Sequence, residues 1–162
     1  LGQGISAAVG MAISAKLSGD AYRVYTLLGD GEIQEGQVWE AAMLAAHRKL
    51  DNLVVIVDNN NLQIDGAITD VNSPYPIDKK FEAFNFHVIN VDGHDFDEIA
   101  AALKEARETK RQPTAIIAKT VKGKGVSFME NQASWHGAAP NDEQYETAMA
   151  DLEKVGEALC QK

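Results

Sequence analysis

Residues 27–36 read LLGDGEIQEG, an apolar run that stops at Leu28 and turns on a carboxylate set between Gly29 and Gly31. Many buried strands end in a polar turn. Gly-Asp-Gly is more particular, because it pairs a charge with two residues that let other groups approach the backbone closely. The stretch therefore predicts a strand ending at Leu28 and another group seated against the turn.

Working outward, the small and apolar residues from Ile5 to Leu17 predict a helix packed closely through Ala7, Ala8, Gly10 and Ala12 and ended by Gly19. Tyr22 to Leu28 is aromatic and β-branched, which predicts a strand. From Glu35 to Leu50, Val38, Trp39, Ala42, Ala45 and Ala46 recur at helical spacing, with basic residues in the last turn, where the helix dipole favours them. Leu53 to Val57 predicts a second strand, followed by a long polar loop from Asn59 to Pro76 of a kind that often carries function. Phe86 to Val91 predicts a third strand and Thr114 to Val121 a fourth. Between them, Asp95 and Glu98 resemble a capping box opening a helix from Glu98 to Thr109. Lys122 to Gly125, KGKG, opens another loop, and Asn141 with Gln144 predicts a second capping box for a helix to about Cys160.

Helix and apolar strand alternate without hairpin signals, which predicts an α/β fold, a mostly parallel sheet with helices on both faces. Such sheets bind ligands at the carboxyl ends of their strands. The glycine turn, the Asn59 loop and the KGKG loop all follow strands, so they are expected at one edge.

Composition narrows the function classes. With 162 residues and 45% hydrophobic content, the chain is long enough for one substantial core, and it is read as a single domain, 1–162. Fifteen basic against twenty-four acidic residues give a net charge of −9, which argues against a surface tracking nucleic acid or anionic lipid. No apolar stretch approaches the roughly 18 residues that a membrane span needs. The lone Cys160 forms no internal disulfide, and the protein is expected to be cytoplasmic. The chain opens at Leu1, directly in LGQGISAAVGMAISAKLSG, which predicts a domain truncated at its amino terminus.

Two phosphate motifs fail against GDGEIQEGQV. The dinucleotide fingerprint needs glycine where Gln34 stands, and the P-loop needs Lys and Ser or Thr where Gln37 and Val38 stand. What remains is Asp30 at one strand end and, thirty positions later, Asn60 in VDNNNLQIDG at the next. A carboxylate, an amide oxygen and a nearby backbone carbonyl make a hard oxygen set suited to Mg²⁺ or Ca²⁺, completed by diphosphate oxygens and water. The Gly31 N–H adds an anion donor. Taken singly, a GDG turn is more often just a tight turn and the Asn cluster reads likewise as turn-forming residues; the combination favours the oxygen set.

GDG followed by about thirty residues and a paired Asn resembles the thiamine-diphosphate motif, and LGQG, GDGEIQEG, HRKLDNLVVIVDNNNLQIDG and SWHGAAP together resemble transketolase, from Leu1 to about Pro140. The resemblance implies the thiamine-diphosphate-binding fold, with Asp30, the Asn60 side chain and the Leu62 carbonyl as metal ligands. It implies that Gly31 and Asn60 contact the diphosphate, that Ile64 packs by the thiazolium ring, and that Leu1 and Gly2 lie near the aminopyrimidine. Lys122 resembles a lysine that some members place near the cofactor. It implies catalytic roles for His136, in SWHG, and for Glu35, which matches a glutamate buried at the subunit interface. Outside this set, DGHDFD from Asp92 to Asp97 superficially resembles a metal cluster and is read as a turn and helix cap. His47 and His87 are read as structural.

The implied activity is transfer of a two-carbon ketol unit between a ketose phosphate and an aldose phosphate, as in the pentose phosphate pathway. The cofactor supplies the carbanion chemistry and the protein activates it. In the family an activating glutamate lies on a pyrimidine-binding domain that this chain does not supply. A partner carrying that domain is therefore expected, in a dimer or heterotetramer, with the isolated chain inactive. Within the class, deoxyxylulose-phosphate synthase and 2-oxo-acid dehydrogenase subunits share GDG and Asn, whereas SWHGAAP and LGQG favour transketolase. Outside it stand a nucleotide-binding domain with Asp58 reading a ribose, and a non-catalytic paralogue.

Overall fold

A computed structural model describes residues 1–160 of the chain. Its elements run α1 (Gln3–Ser18), β1 (Val24–Gly29), α2 (Gly36–His47), β2 (Leu53–Asn59), β3 (Leu62–Gln63), β4 (Gly66–Ala67), α3 (Ile68–Asn72), α4 (Ile77–Ala83), β5 (His87–Asp92), α5 (Phe96–Glu108), β6 (Thr114–Lys119) and α6 (Asp142–Cys160). Short 3-10 turns occupy Glu32–Gln34 and Ala133–His136.

Four strands form one sheet in the order β1-β2-β6-β5, every pair parallel. The expected mostly parallel sheet is present. The order explains where the helices lie. The chain steps from β1 to β2 and on past the β6 position to β5, then returns through α5 to insert β6. Right-handed crossovers that run in opposite directions place their helices on opposite faces. Accordingly, α1, α2 and α4 bury Ile5, Val38, Ala42 and Phe81 with Leu28, Val55 and Val57 in one core. On the other face α5 buries Ala102 and Ala106 against Val54, Ile116 and Ala118.

That second face is covered unevenly. Over β1, where no described helix lies, Tyr25 and Leu27 are exposed, Leu27 by 67%.

The register aligns the strand ends. Gly29 pairs with Asp58, Asp58 with Ala118, and Asp92 with Lys119, so the residues that follow β1, β2, β5 and β6 share the carboxyl edge.

Several local expectations need correction. The Asn59–Pro76 segment is not a plain loop: β3 and β4 form a two-residue antiparallel hairpin and α3 follows, anchored by fully buried Ile68. Turn-forming Asn and Gly residues hid strands this short from any periodicity. Helix α4 was not expected, although Ile77 and Phe81 stand four apart and both are buried, Phe81 with its ring 5.1 Å from that of Trp39. The first capping box is half-formed. Asp95 accepts from the N–H groups of Asp97 and Glu98, but the Glu98 carboxylate takes the Asp92 N–H at 2.7 Å, so α5 begins at Phe96. The second box is reciprocal, with Asn141 and Gln144 exchanging two 2.9 Å bonds.

Candidate active site

The strand end after β1 buries a charge. Asp30 is 1% exposed, its N–H donates to the Asp58 carbonyl at 3.2 Å, and its Oδ2 accepts from the Asn61 N–H at 2.5 Å. Burial pushes its carboxyl above the ordinary aspartate value; the N–H groups of Asn61 and Gly31 pull the other way, and the Asp58 charge adds to the rise. Asn61 aims its N–H at Asp30 from a left-handed conformation, φ 64°, which Asn tolerates better than most residues.

Asp58 organises the neighbouring amide. The Thr120 hydroxyl donates to Oδ1 and the Asn60 Nδ2 donates to Oδ2 at 3.1 Å, while the Asn60 Oδ1 accepts from the Leu62 N–H at 3.0 Å. With its NH₂ end held by a carboxylate, the Asn60 side chain has one orientation, and its oxygen keeps a second lone pair free.

These groups border a cavity of about 390 Å³, together with Leu1, Gly31, Leu62 and Ile64. Glu35, Lys122 and His136 line it too, so residues from five separate stretches of chain meet there. Gly2 does not line it. It is buried behind Leu1, at φ 73°, where an added Cβ would stand 2.9 Å from the Glu35 Cβ.

Each contributor has a local cause. His136 closes the 3-10 turn Ala133–His136, held in place by Trp135, whose indole N–H donates to the Phe128 carbonyl at 3.1 Å and whose ring meets Phe128 edge-on at 5.3 Å. Lys122 follows Val121, whose N–H donates to the His94 Nε2 at 2.8 Å. Among the described residues Lys122 has no carboxylate partner, which leaves its charge available to a ligand. Glu35 is exposed and caps no N–H of α2.

Gly31 is closely approached from β3. Its φ of −70° is open to any residue, but a Cβ there would lie 3.0 Å from the Gln63 Cβ and 3.1 Å from its Oε1. The group seated against the glycine turn is therefore Gln63 of β3. Sequence reasoning also left Glu32 out of the site and placed Asp58 only in a nucleotide reading. Three carboxylates within GDGEIQEG were a signal for Glu32; no spacing pointed to Gln63.

The donor set fits a cation whose remaining ligands come from a bound anion. Asp30 and Asp58 place two carboxylates close together, and neither forms an ion pair among the described residues. No three His, Cys, Asp or Glu side chains among the described residues could hold an ion by themselves. A larger recess of about 550 Å³ opens at the opposite edge between α2 and α4, but no carboxylate lines it. The DGHDFD stretch is the turn and cap expected of it, with His94 bonded to the Val121 backbone. His87 pairs with Glu105 at 2.6 Å.

Comparison with known proteins bears on the cofactor. Residues 1–154 match the family model described as transketolase, thiamine diphosphate binding domain. The 6-deoxy-6-sulfo-D-fructose transketolase subunit SqwG of Clostridium sp. (strain MSTE9) is 44% identical over 156 residues, 96% of this chain and 57% of that protein. Human transketolase is 50% identical over 141 residues, 85% of this chain and 22% of its own length. Among solved structures, transketolase of Campylobacter jejuni superposes with a TM-score of 0.87 at 38% identity, covering 93% of this chain and 24% of that one. The chain thus spans little more than half the length of the subunit-sized relative and about a quarter of the larger ones.

Proposed function

The chain belongs to the transketolase thiamine-diphosphate-binding family, and from that membership we propose that it holds the diphosphate end of the cofactor through a divalent cation, as one part of an enzyme that moves two-carbon ketol units between sugar phosphates. The observation that carries this reading is the meeting of Asp30, Asn60, Leu62, Lys122 and His136 around one cavity.

In this reading Asp30, the free lone pair of Asn60 Oδ1 and the Leu62 carbonyl would hold Mg²⁺, or Ca²⁺ in its place, and the cation would supply positive charge to the diphosphate. Lys122 and the Gly31 N–H offset diphosphate charge. Leu1 and Ile64 offer apolar surface to the rings. Thiamine diphosphate, when bound, supplies the carbanion stabilisation that ketol transfer needs. His136, exposed at the cavity rim, handles protons on the substrate hydroxyl and carbonyl oxygens, a task its imidazole can perform as donor or acceptor. Glu35 acts across an interface with the part of the enzyme that binds the aminopyrimidine. That part is a separate subunit or another domain, and the chain alone is inactive. Two similar proteins whose names include "subunit" support a divided enzyme.

Calorimetry on the intact protein tests the reading. Thiamine diphosphate should bind with Mg²⁺ present and lose affinity in excess chelator. Equal affinity in both conditions would refute the metal-bridged site.

A further inference from the structure

Glu32 lies outside the metal set, yet its carboxylate joins two separate stretches of chain that border the same cavity. Its Oε1 accepts from the Gly2 N–H at 2.8 Å and its Oε2 from the Gly29 N–H at 3.1 Å. One side chain thus ties the entry to α1, thirty residues upstream, to the strand residue immediately before Asp30. We propose that Glu32 is a positioning residue that sets the distance between the Leu1 side of the cavity and the Asp30 side, and so pre-forms a seat for a ligand that spans both. This rests on the reading of the cavity as the thiamine-diphosphate site.

Three features carry the inference. Both segments line the cavity, one through Leu1 and the other through Gly29 and Asp30. Glu32 sits in the 3-10 turn Glu32–Gln34, whose Ile33 is fully buried, so the carboxylate projects from a fixed base. The Gly2 end is held in a single conformation: it is buried, left-handed, and lies so close to Glu35 that an added Cβ would collide. A carboxylate is the suitable side chain here, because both partners are N–H donors and only an acceptor at each end satisfies them. Gln would accept at one end and oppose a donor with a donor at the other.

If Glu32 sets a register between two sides, it matters to a ligand that touches both and not to one that touches only the Asp30 side. Inorganic pyrophosphate, with Mg²⁺, is the one-sided probe; thiamine diphosphate is the two-sided one. In the intact protein, Glu32→Ala should weaken thiamine diphosphate by about tenfold, the scale of losing a charged hydrogen bond. Pyrophosphate affinity should stay within about twofold. Glu32→Gln should fall between the variant and the unsubstituted protein. Equal weakening of both ligands would show that Glu32 merely supports the Asp30 turn, and no weakening of either would show that it positions nothing; each overturns the proposal. Hydrogen exchange without ligand gives a second measure. Exchange of the 1–5 segment should rise in Glu32→Ala while the 59–66 segment stays unchanged, and unchanged exchange at 1–5 also overturns it. Failure of the unsubstituted protein to bind thiamine diphosphate at all would instead refute the site reading itself, so the two failures are distinct.

Discussion

Asp30 and Asn61, thirty-one residues apart, are joined by a 2.5 Å hydrogen bond from the Asn61 N–H to the Asp30 carboxylate, at a point where Asp30 is almost wholly withdrawn from solvent. A buried carboxylate that has backbone N–H donors but no ion-pair partner among the described residues is held at a cost in the unliganded protein.

That cost can be measured. Burial raises the Asp30 carboxyl above its ordinary value, so its contribution to stability is lost as pH rises through the raised value, and the ionised group destabilises the unliganded fold at neutral pH. Asp30→Asn, whose amide oxygen still accepts from Asn61, should raise the unliganded Tm at pH 7 by about 2–4 °C. The same variant should weaken Mg²⁺-dependent cofactor binding by at least about tenfold. A variant that loses both stability and cofactor would show the turn to be structural.

His136 stands at the rim on its Trp135 support and takes no part in the core. His136→Ala in the assembled enzyme should therefore lower kcat more than it lowers cofactor affinity, since proton transfer acts mainly in the transition state. Steady-state kinetics at saturating cofactor, set beside calorimetry, read the two effects separately. A loss confined to affinity would make His136 a binding contact alone.

Gly31 is predicted to be intolerant for a steric reason. Gly31→Ala should weaken cofactor binding because its Cβ displaces Gln63 and with it the start of the hairpin that carries Ile64. Adding Gln63→Gly removes the opposing Cβ and should restore affinity; Gln63→Ala keeps that atom and should restore less. Thermal melts of the three variants check that the fold is retained. Unchanged affinity in Gly31→Ala would remove the close approach from the argument.

The opposite edge of the sheet has its own acid-sensitive tie. Asp51 accepts from Lys16 Nζ at 2.6 Å and from the Arg111 N–H at 2.9 Å, and its carbonyl takes the Arg23 guanidinium at 2.8 Å. Burial opposes ionisation of Asp51, but the Arg111 N–H and then Lys16 outweigh it, holding the carboxyl below the ordinary value of 3.8. The sign follows: stability is fully present above that ordinary value and is lost as pH falls through the lower folded one. Asp51→Asn should flatten the acid limb of a Tm-against-pH profile below about pH 4. An unchanged limb would place the acid sensitivity elsewhere.

Much of the fold was legible because its causes are local. Helical spacing in α1 and α2, the apolar runs of β1, β2, β5 and β6, and the alternation between them identify a parallel sheet. The length of each strand–helix–strand unit brings Asp30 and Asn60 to the same edge whatever the details. Short elements escaped for the same reason: two-residue strands such as β3 and β4 have no periodicity to read, and α4 offered only the Ile77–Phe81 pair.

What the sequence by itself determined is the set of groups at the carboxyl edge: a carboxylate in a glycine turn, an Asn cluster, a lysine loop and a histidine on a tryptophan support. Tertiary structure alone decided how they are held. Asp58 orients Asn60, Gln63 fills the space above Gly31, His94 secures the chain before Lys122, and Glu32 ties Gly2 to Gly29. A polar side chain chooses its partner by distance and angle within a few ångströms. For Gly2 with Glu32, or Thr120 with Asp58, that distance joins segments thirty and sixty-two residues apart. Sheet register and helix packing set it, and no local pattern of residues records it.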